Sequence, residues 1–177
     1  MKKALMFLMI VCLLLSAVGC GALEDILTPT EKVFPIAEYG LQITADSTFQ
    51  DETSGSFDLQ LSNNRAYVSV MAYKYVDLPE GVTPMDVLDI QNEEVLTKRD
   101  AVTVIEESAT RSLAQGTVTQ ALYSAEKDGV KNYYGTYLID LPDVQTLAWV
   151  VVTATPSYYE ANRDMLHNIV CSLEAVQ

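Results

Sequence analysis

Histidine occurs once in this chain, as His167, and cysteine three times, as Cys12, Cys20 and Cys171. That inventory holds no Cys/His cluster of the kind a zinc site needs. No Gly-x-Ser-x-Gly elbow accompanies the single histidine, so a hydrolase triad has no local signature. The 8 glycines stand singly, and no glycine-rich phosphate cradle is present. Positive charge is also in short supply: 11 Lys and Arg face 24 Asp and Glu, a formal net charge of −13. Such a surface is repelled by nucleic acid and by anionic headgroups, which excludes nucleic-acid binding. The acidic pairs Asp51-Glu52, Glu93-Glu94 and Glu106-Glu107 are sequence neighbours, which point apart on a strand or a helix. No EF-hand spacing joins them. No metal and no cofactor is therefore expected. Beyond the amino terminus no apolar run approaches the length of a membrane span; Trp149 to Val152 is a strand's worth.

What is present is concentrated first at the amino terminus. Lys2 and Lys3 precede an apolar run from Ala4 to Val18, which ends in Gly19-Cys20. Positive residues, a short apolar core and small residues before a cysteine are the parts of an export signal. The stretch Ala17-Val18-Gly19-Cys20 resembles the lipobox of bacterial lipoproteins, although the commonest form has leucine where Ala17 stands. The resemblance implies that residues 1–19 are a signal peptide and that Cys20 becomes an acylated amino terminus. Palmitate-like chains on Cys20 would then hold the protein at the membrane from the extracytoplasmic side. Each buried methylene contributes about 0.8 kcal/mol, so two or three chains anchor where one is marginal. The alternatives are an ordinary secretory signal or a short uncleaved anchor. On the lipoprotein reading Cys12 leaves with the signal and Cys20 carries lipid. Cys171 then has no disulfide partner. It is expected to be a small packing residue with no electropositive neighbour.

The mature chain would keep 9 basic and 24 acidic side chains, a formal charge of about −15. Residues 20–38 read as the lipidated cysteine and a tether, broken up by Thr28-Pro29-Thr30 and Pro35. Residues 39–177 read as one domain, expected to be monomeric. Period-two alternation at Leu41 and Ile43, then at Phe57, Leu59 and Leu61, predicts two strands. Asn63-Asn64 marks a tight turn into a third strand, residues 65–76. Thr83-Pro84 predicts a capped helix ending near Lys98-Arg99. Strands follow from Val102, from Gly116 to Glu126, across the Asp128-Gly129 hairpin to Ile139, and from Leu147 to Thr155. The last is apolar on both faces, which marks a central strand covered on both sides. Pro156-Ser157 opens a closing helix with an apolar stripe of Tyr159, Leu166, Ile169, Val170 and Leu173. The sum is an α+β fold: an antiparallel sheet of about seven strands with helices packed on both faces.

That order of elements resembles the PsbP-like sandwich. Ile169-Val170-Cys171-Ser172-Leu173 stands where members carry a similar closing motif. The resemblance covers residues 39–174 and implies no shared catalytic residues, and fold does not fix function.

Tyrosine is the unusual residue, with ten copies against four Phe and one Trp. Tyr67, Tyr73 and Tyr75 fall on one face of the third strand, a candidate partner-binding stripe. The same rings would serve as the edge of a core beneath a helix, and the sequence leaves both readings open. His167 reads as a surface or half-buried helix residue. The expected function is non-enzymatic: a lipid-anchored domain binding a small ligand or an envelope protein partner, as an accessory subunit of a membrane complex. The competing readings are an envelope enzyme with an unrecognised carboxylate site and a surface structural protein without a specific ligand.

Overall fold

Two turns set the architecture. Asp128 and Gly129 both take positive φ, 53° and 75°. That geometry closes a tight hairpin whose twist matches its strands. Asn64 does the same at φ 64° between two earlier strands. The structure, a computed structural model, describes residues 30–176. Cys20 and the lipobox-like stretch before it, with the expected signal peptide, lie outside the described residues. Among the described residues no helix is long and apolar enough to cross a membrane.

The elements run β1 (Glu31–Ile36), β2 (Leu41–Asp46), β3 (Gln50–Asp51), β4 (Leu59–Ser62), β5 (Ala66–Lys74) and α1 (Pro84–Leu96). They continue as β6 (Asp100–Leu113), β7 (Gly116–Lys127), β8 (Val130–Leu141), β9 (Thr146–Ala154), α2 (Pro156–Ala161), α3 (Arg163–Cys171) and β10 (Glu174–Ala175). Seven strands form one antiparallel sheet in the order β3-β4-β5-β9-β8-β7-β6. A second, three-stranded sheet has the order β1-β2-β10. The expected α+β sheet with helices on both faces is what forms.

β9 lies at the middle of the large sheet, and eight of its nine residues are buried. Its two faces belong to two cores. One core joins Val68, Val70, Val150 and Val152 to β2 and to Leu166, Ile169 and Val170 of α3. The other sets Val87 and Leu88 of α1 against Leu147, Trp149 and Val151. Trp149 Nε1 donates to Asn92 Oδ1 at 3.3 Å, which satisfies the one polar atom of that ring inside the second core. α1 is capped as expected: Thr83 and Asp86 form a reciprocal capping box, and Pro84 takes the first helical position.

Three expectations need correction. Part of the span expected as tether, 20–38, is folded: Glu31–Ile36 is a strand whose Phe34 and Ile36 enter the first core. Folded structure therefore begins before residue 39. The third strand stops at Lys74, and Tyr75 falls in a 3-10 turn, Tyr75–Asp77. The closing helix is two helices that meet at Asn162, whose φ of −126° and ψ of 20° are not helical. The first of them has Thr155 at its cap position and Pro156 as its first residue.

Candidate functional site

β5 shows how alternation divides the sheet. Ala66, Val68, Val70 and Ala72 face the first core and are buried. Tyr67, Ser69, Met71 and Tyr73 face the side on which α1 packs. A helix of 13 residues is about 20 Å long, whereas strands of 9 to 12 residues run about 30–40 Å. Part of that face therefore stays open. The open part is a groove of about 430 Å³. Tyr67, Ser69, Val151, Thr153 and Tyr134 form its floor. The carboxyl end of α1 borders it through Val95 and Arg99.

The structure divides the candidate tyrosine stripe. Tyr67 lines the groove and is 43% exposed. Tyr73 packs half-buried against the α1 core, and burial together with nearby Asp58 pushes its hydroxyl up to about 12. Tyr75 packs against the same core from its 3-10 turn. Its hydroxyl donates to the carboxylate of Asp140, and burial plus that bond push it up to about 12. One ring is thus displayed in a concavity, and two brace the helix.

Three further groove residues were not legible as site residues in the sequence: Arg65, Arg99 and Lys127. Arg65 follows the Asn63-Asn64 turn and Lys127 precedes Asp128-Gly129. Cross-strand register brings those two turns to the same end of the sheet. The two turn motifs are visible in the sequence, but their meeting is set by the register of the sheet. Arg99 Nε donates to the Tyr134 hydroxyl at 3.0 Å, and its guanidinium carbon lies 5.5 Å from the Tyr134 ring centroid. Polar atoms complete the lining: Gln60 Nε2 donates to Ser69 Oγ at 2.9 Å, and Asn132 stands beside Tyr134. A second cavity of about 450 Å³ adjoins the groove and shares Asn64, Arg65 and Thr155 with it. Concave sites of this size with an aromatic floor and a few polar groups suit small molecules.

On the opposite side of the molecule, Cys171 has the electropositive neighbourhood that the sequence had not suggested. Arg111 of β6 reaches its sulfur at 3.8 Å, and His167 Nε2 lies 3.2 Å from it. Burial pushes the thiol up, opposed by Arg111. Burial also pushes the His167 imidazole down, with Arg111 adding to the effect. His167 is half-buried, as expected for that helix position.

With that geometry in view, solved structures define the fold class. Cyanobacterial PsbP (CyanoP) of Synechocystis superposes with a TM-score of 0.61 at 9% identity, over 84% of this chain and 94% of that one. The fold is PsbP/Mog1-like. The Ran-binding protein Mog1p of Saccharomyces cerevisiae gives a TM-score of 0.56 at 12% identity, over 85% of this chain and 97% of that one. LpqN of Mycobacterium tuberculosis, described as involved in cell envelope biogenesis, gives 0.56 at 13% identity, over 81% of this chain and 89% of that one. Identities this low establish a shared fold and nothing finer. No family model matches the chain, and neither does any curated protein sequence.

Proposed function

We propose that this chain is a lipid-anchored, extracytoplasmic, non-enzymatic domain that binds a small ligand or an envelope protein partner as an accessory subunit of a membrane complex. The observation that carries the binding part is the open groove beside α1, floored by Tyr67 and Tyr134. Tyr67 is 43% exposed there, and an occupant that covered its ring would gain hydrophobic stabilisation. The anchoring part rests on Gly19-Cys20 after the apolar run. The envelope setting agrees with LpqN, a protein of the same fold that is described as involved in cell envelope biogenesis.

Two measurements test the reading. Metabolic labelling with a palmitate analogue should mark the wild type and leave Cys20→Ala unmarked; equal labelling of both would remove the anchor. A pull-down of the anchored protein from detergent-solubilised membranes, compared with Tyr67→Ala, tests the groove. Recovery of a partner or ligand by wild type that Tyr67→Ala loses supports it. Identical recovery by both moves the binding surface elsewhere, and turnover of a substrate by the purified protein would favour the carboxylate-enzyme reading.

A further inference from the structure

The groove inverts the charge of the protein around it. Nine Lys and Arg remain when Lys2 and Lys3 are set aside, and three of the nine, Arg65, Arg99 and Lys127, line this one concavity. No Asp or Glu lines it, although the chain has 24. Elsewhere cations do find carboxylates: Lys98 pairs with Glu94, and Arg163 with Glu106. Among the described residues the three groove cations make no ion pair.

Two of the three are held by aromatic rings instead. Arg65 lies 5.8 Å from the Tyr158 ring centroid and Arg99 5.5 Å from that of Tyr134. A guanidinium placed on a ring face keeps N–H donors available at its edge. Arg99 spends Nε on the Tyr134 hydroxyl and Nη1 on the Lys98 carbonyl, and Nη2 makes no hydrogen bond to the described residues. Guanidinium donors of this kind match oxyanions, and phosphate and carboxylate above all. Beside them lie the ring of Tyr67 and the side chains of Val95 and Val151, an apolar surface for the body of a ligand.

The geometry points to a site for a small oxyanion-bearing molecule, a phosphate ester or a carboxylate on an apolar or planar body. This rests on the reading of the domain as a binding module and adds the chemistry of its ligand. A small molecule is favoured over an acidic protein segment by the surroundings of the groove. A segment would extend onto a surface of strongly negative net charge and be repelled there, whereas a small anion meets only the groove. A sheet of anionic lipid faces the same repulsion. A single phosphorylated lipid headgroup entering the groove shares the chemistry of a free phosphate ester, and the experiment separates the two.

The test uses the full chain in nonionic detergent at low ionic strength. Amide shifts are followed while phenyl phosphate, benzyl alcohol, glycerol 3-phosphate and dihexanoyl phosphatidylglycerol are each added. Phenyl phosphate should shift Tyr67 and Tyr134 and bind at least tenfold more tightly than benzyl alcohol. Arg65→Gln/Lys127→Gln, both at exposed positions, should cost at least tenfold in that affinity with an unchanged melting curve. Added salt should weaken binding to the wild type more than to the double variant. Tighter binding of dihexanoyl phosphatidylglycerol than of phenyl phosphate and glycerol 3-phosphate would assign the oxyanion to a lipid. The reverse order would assign it to a free ligand. Equal affinity for phenyl phosphate and benzyl alcohol, lost in Tyr67→Ala, would overturn the anion assignment and leave the binding module standing. Groove shifts with none of the four probes would overturn the anion assignment also, and the pull-down with Tyr67→Ala would then decide the binding module separately.

Discussion

His167 Nδ1 lies 2.9 Å from Nη2 of Arg111. A guanidinium only donates, so the imidazole nitrogen accepts, and the ring proton sits on Nε2, facing Cys171. A second ring proton would have to point at the Arg111 cation. Burial first, and that cation second, hold the imidazole below its ordinary value. Between the lowered folded value and the ordinary one near 6.5, the unfolded chain binds the extra proton. The stability contributed by neutral His167 is therefore present above pH 6.5 and is lost as pH falls toward the folded value. Melting temperatures measured from pH 7.5 to 5 should fall more for the wild type than for His167→Gln, with the two nearly equal at pH 7.5. Parallel curves would show that the ring is free to take up its proton.

Gly135 of β8 faces α2, and a Cβ there would run into the Tyr159 hydroxyl and the Tyr137 ring. The two hydroxyls lie 3.1 Å apart, hydrogen-bonded to each other within the core. Overpacking a close contact of this kind costs about 1–3 kcal/mol. Gly135→Ala should lower the unfolding free energy by that much, read as a lower denaturant midpoint at an unchanged slope. The cost should be smaller when Gly135→Ala is made in a Tyr159→Phe background, which removes the colliding oxygen. An equal cost in both backgrounds would place the strain in the backbone.

Leu166 of α3 is fully buried, in a core that α3 shares with β2, β5 and β9. Truncating such a side chain costs about 2–5 kcal/mol, a large share of the usual stability of a domain, about 5–15 kcal/mol. Leu166→Ala should therefore shift the urea midpoint strongly. A small shift would mean that α3 is dispensable to the large sheet.

Much of this fold is written in the periodicity of the chain, and the places where it is not have physical reasons. β9 was legible as central because both its faces are apolar. β7 and β8 announce themselves through alternation and through Asp128-Gly129. β1 was hidden by Pro35, which reads as a breaker. At the edge of the β1-β2-β10 sheet, however, a strand has positions that need no N–H donor. β6 showed only its start. It is an edge strand with exposed residues on both faces and three irregularities in its register with β7, so no clean alternation marks it. The tyrosine stripe was half legible. Alternation places Tyr67 and Tyr73 on one face, but nothing local says where α1 ends, and that decides which ring is covered. The cations of the groove sit on three separate parts of the chain, and only the register of the sheet brings them to one end.

The tyrosines give the last prediction. Tyr67 is exposed in the groove, whereas Tyr73 and Tyr75 pack beneath α1. Tyr67→Ala should change stability by about 0.5 kcal/mol or less, as exposed positions do. Tyr73→Ala removes a ring from the core and should cost about 3 kcal/mol, toward the low end for buried aromatics because its side chain is half-buried. The two inner hydroxyls add a pH signature. Each is raised from 10 to about 12, so the fold favours their neutral forms. The stability they contribute is complete below pH 10 and is lost as pH rises from there to about 12. Tyr75→Phe removes one of these titrations, and with it the bond to Asp140. Its melting temperature should start below that of the wild type at pH 8, and the gap should narrow as pH climbs to 11. A gap that stays constant across this range would show that the Tyr75 hydroxyl titrates alike in the folded and unfolded chain, and that its bond to Asp140 does not hold its proton.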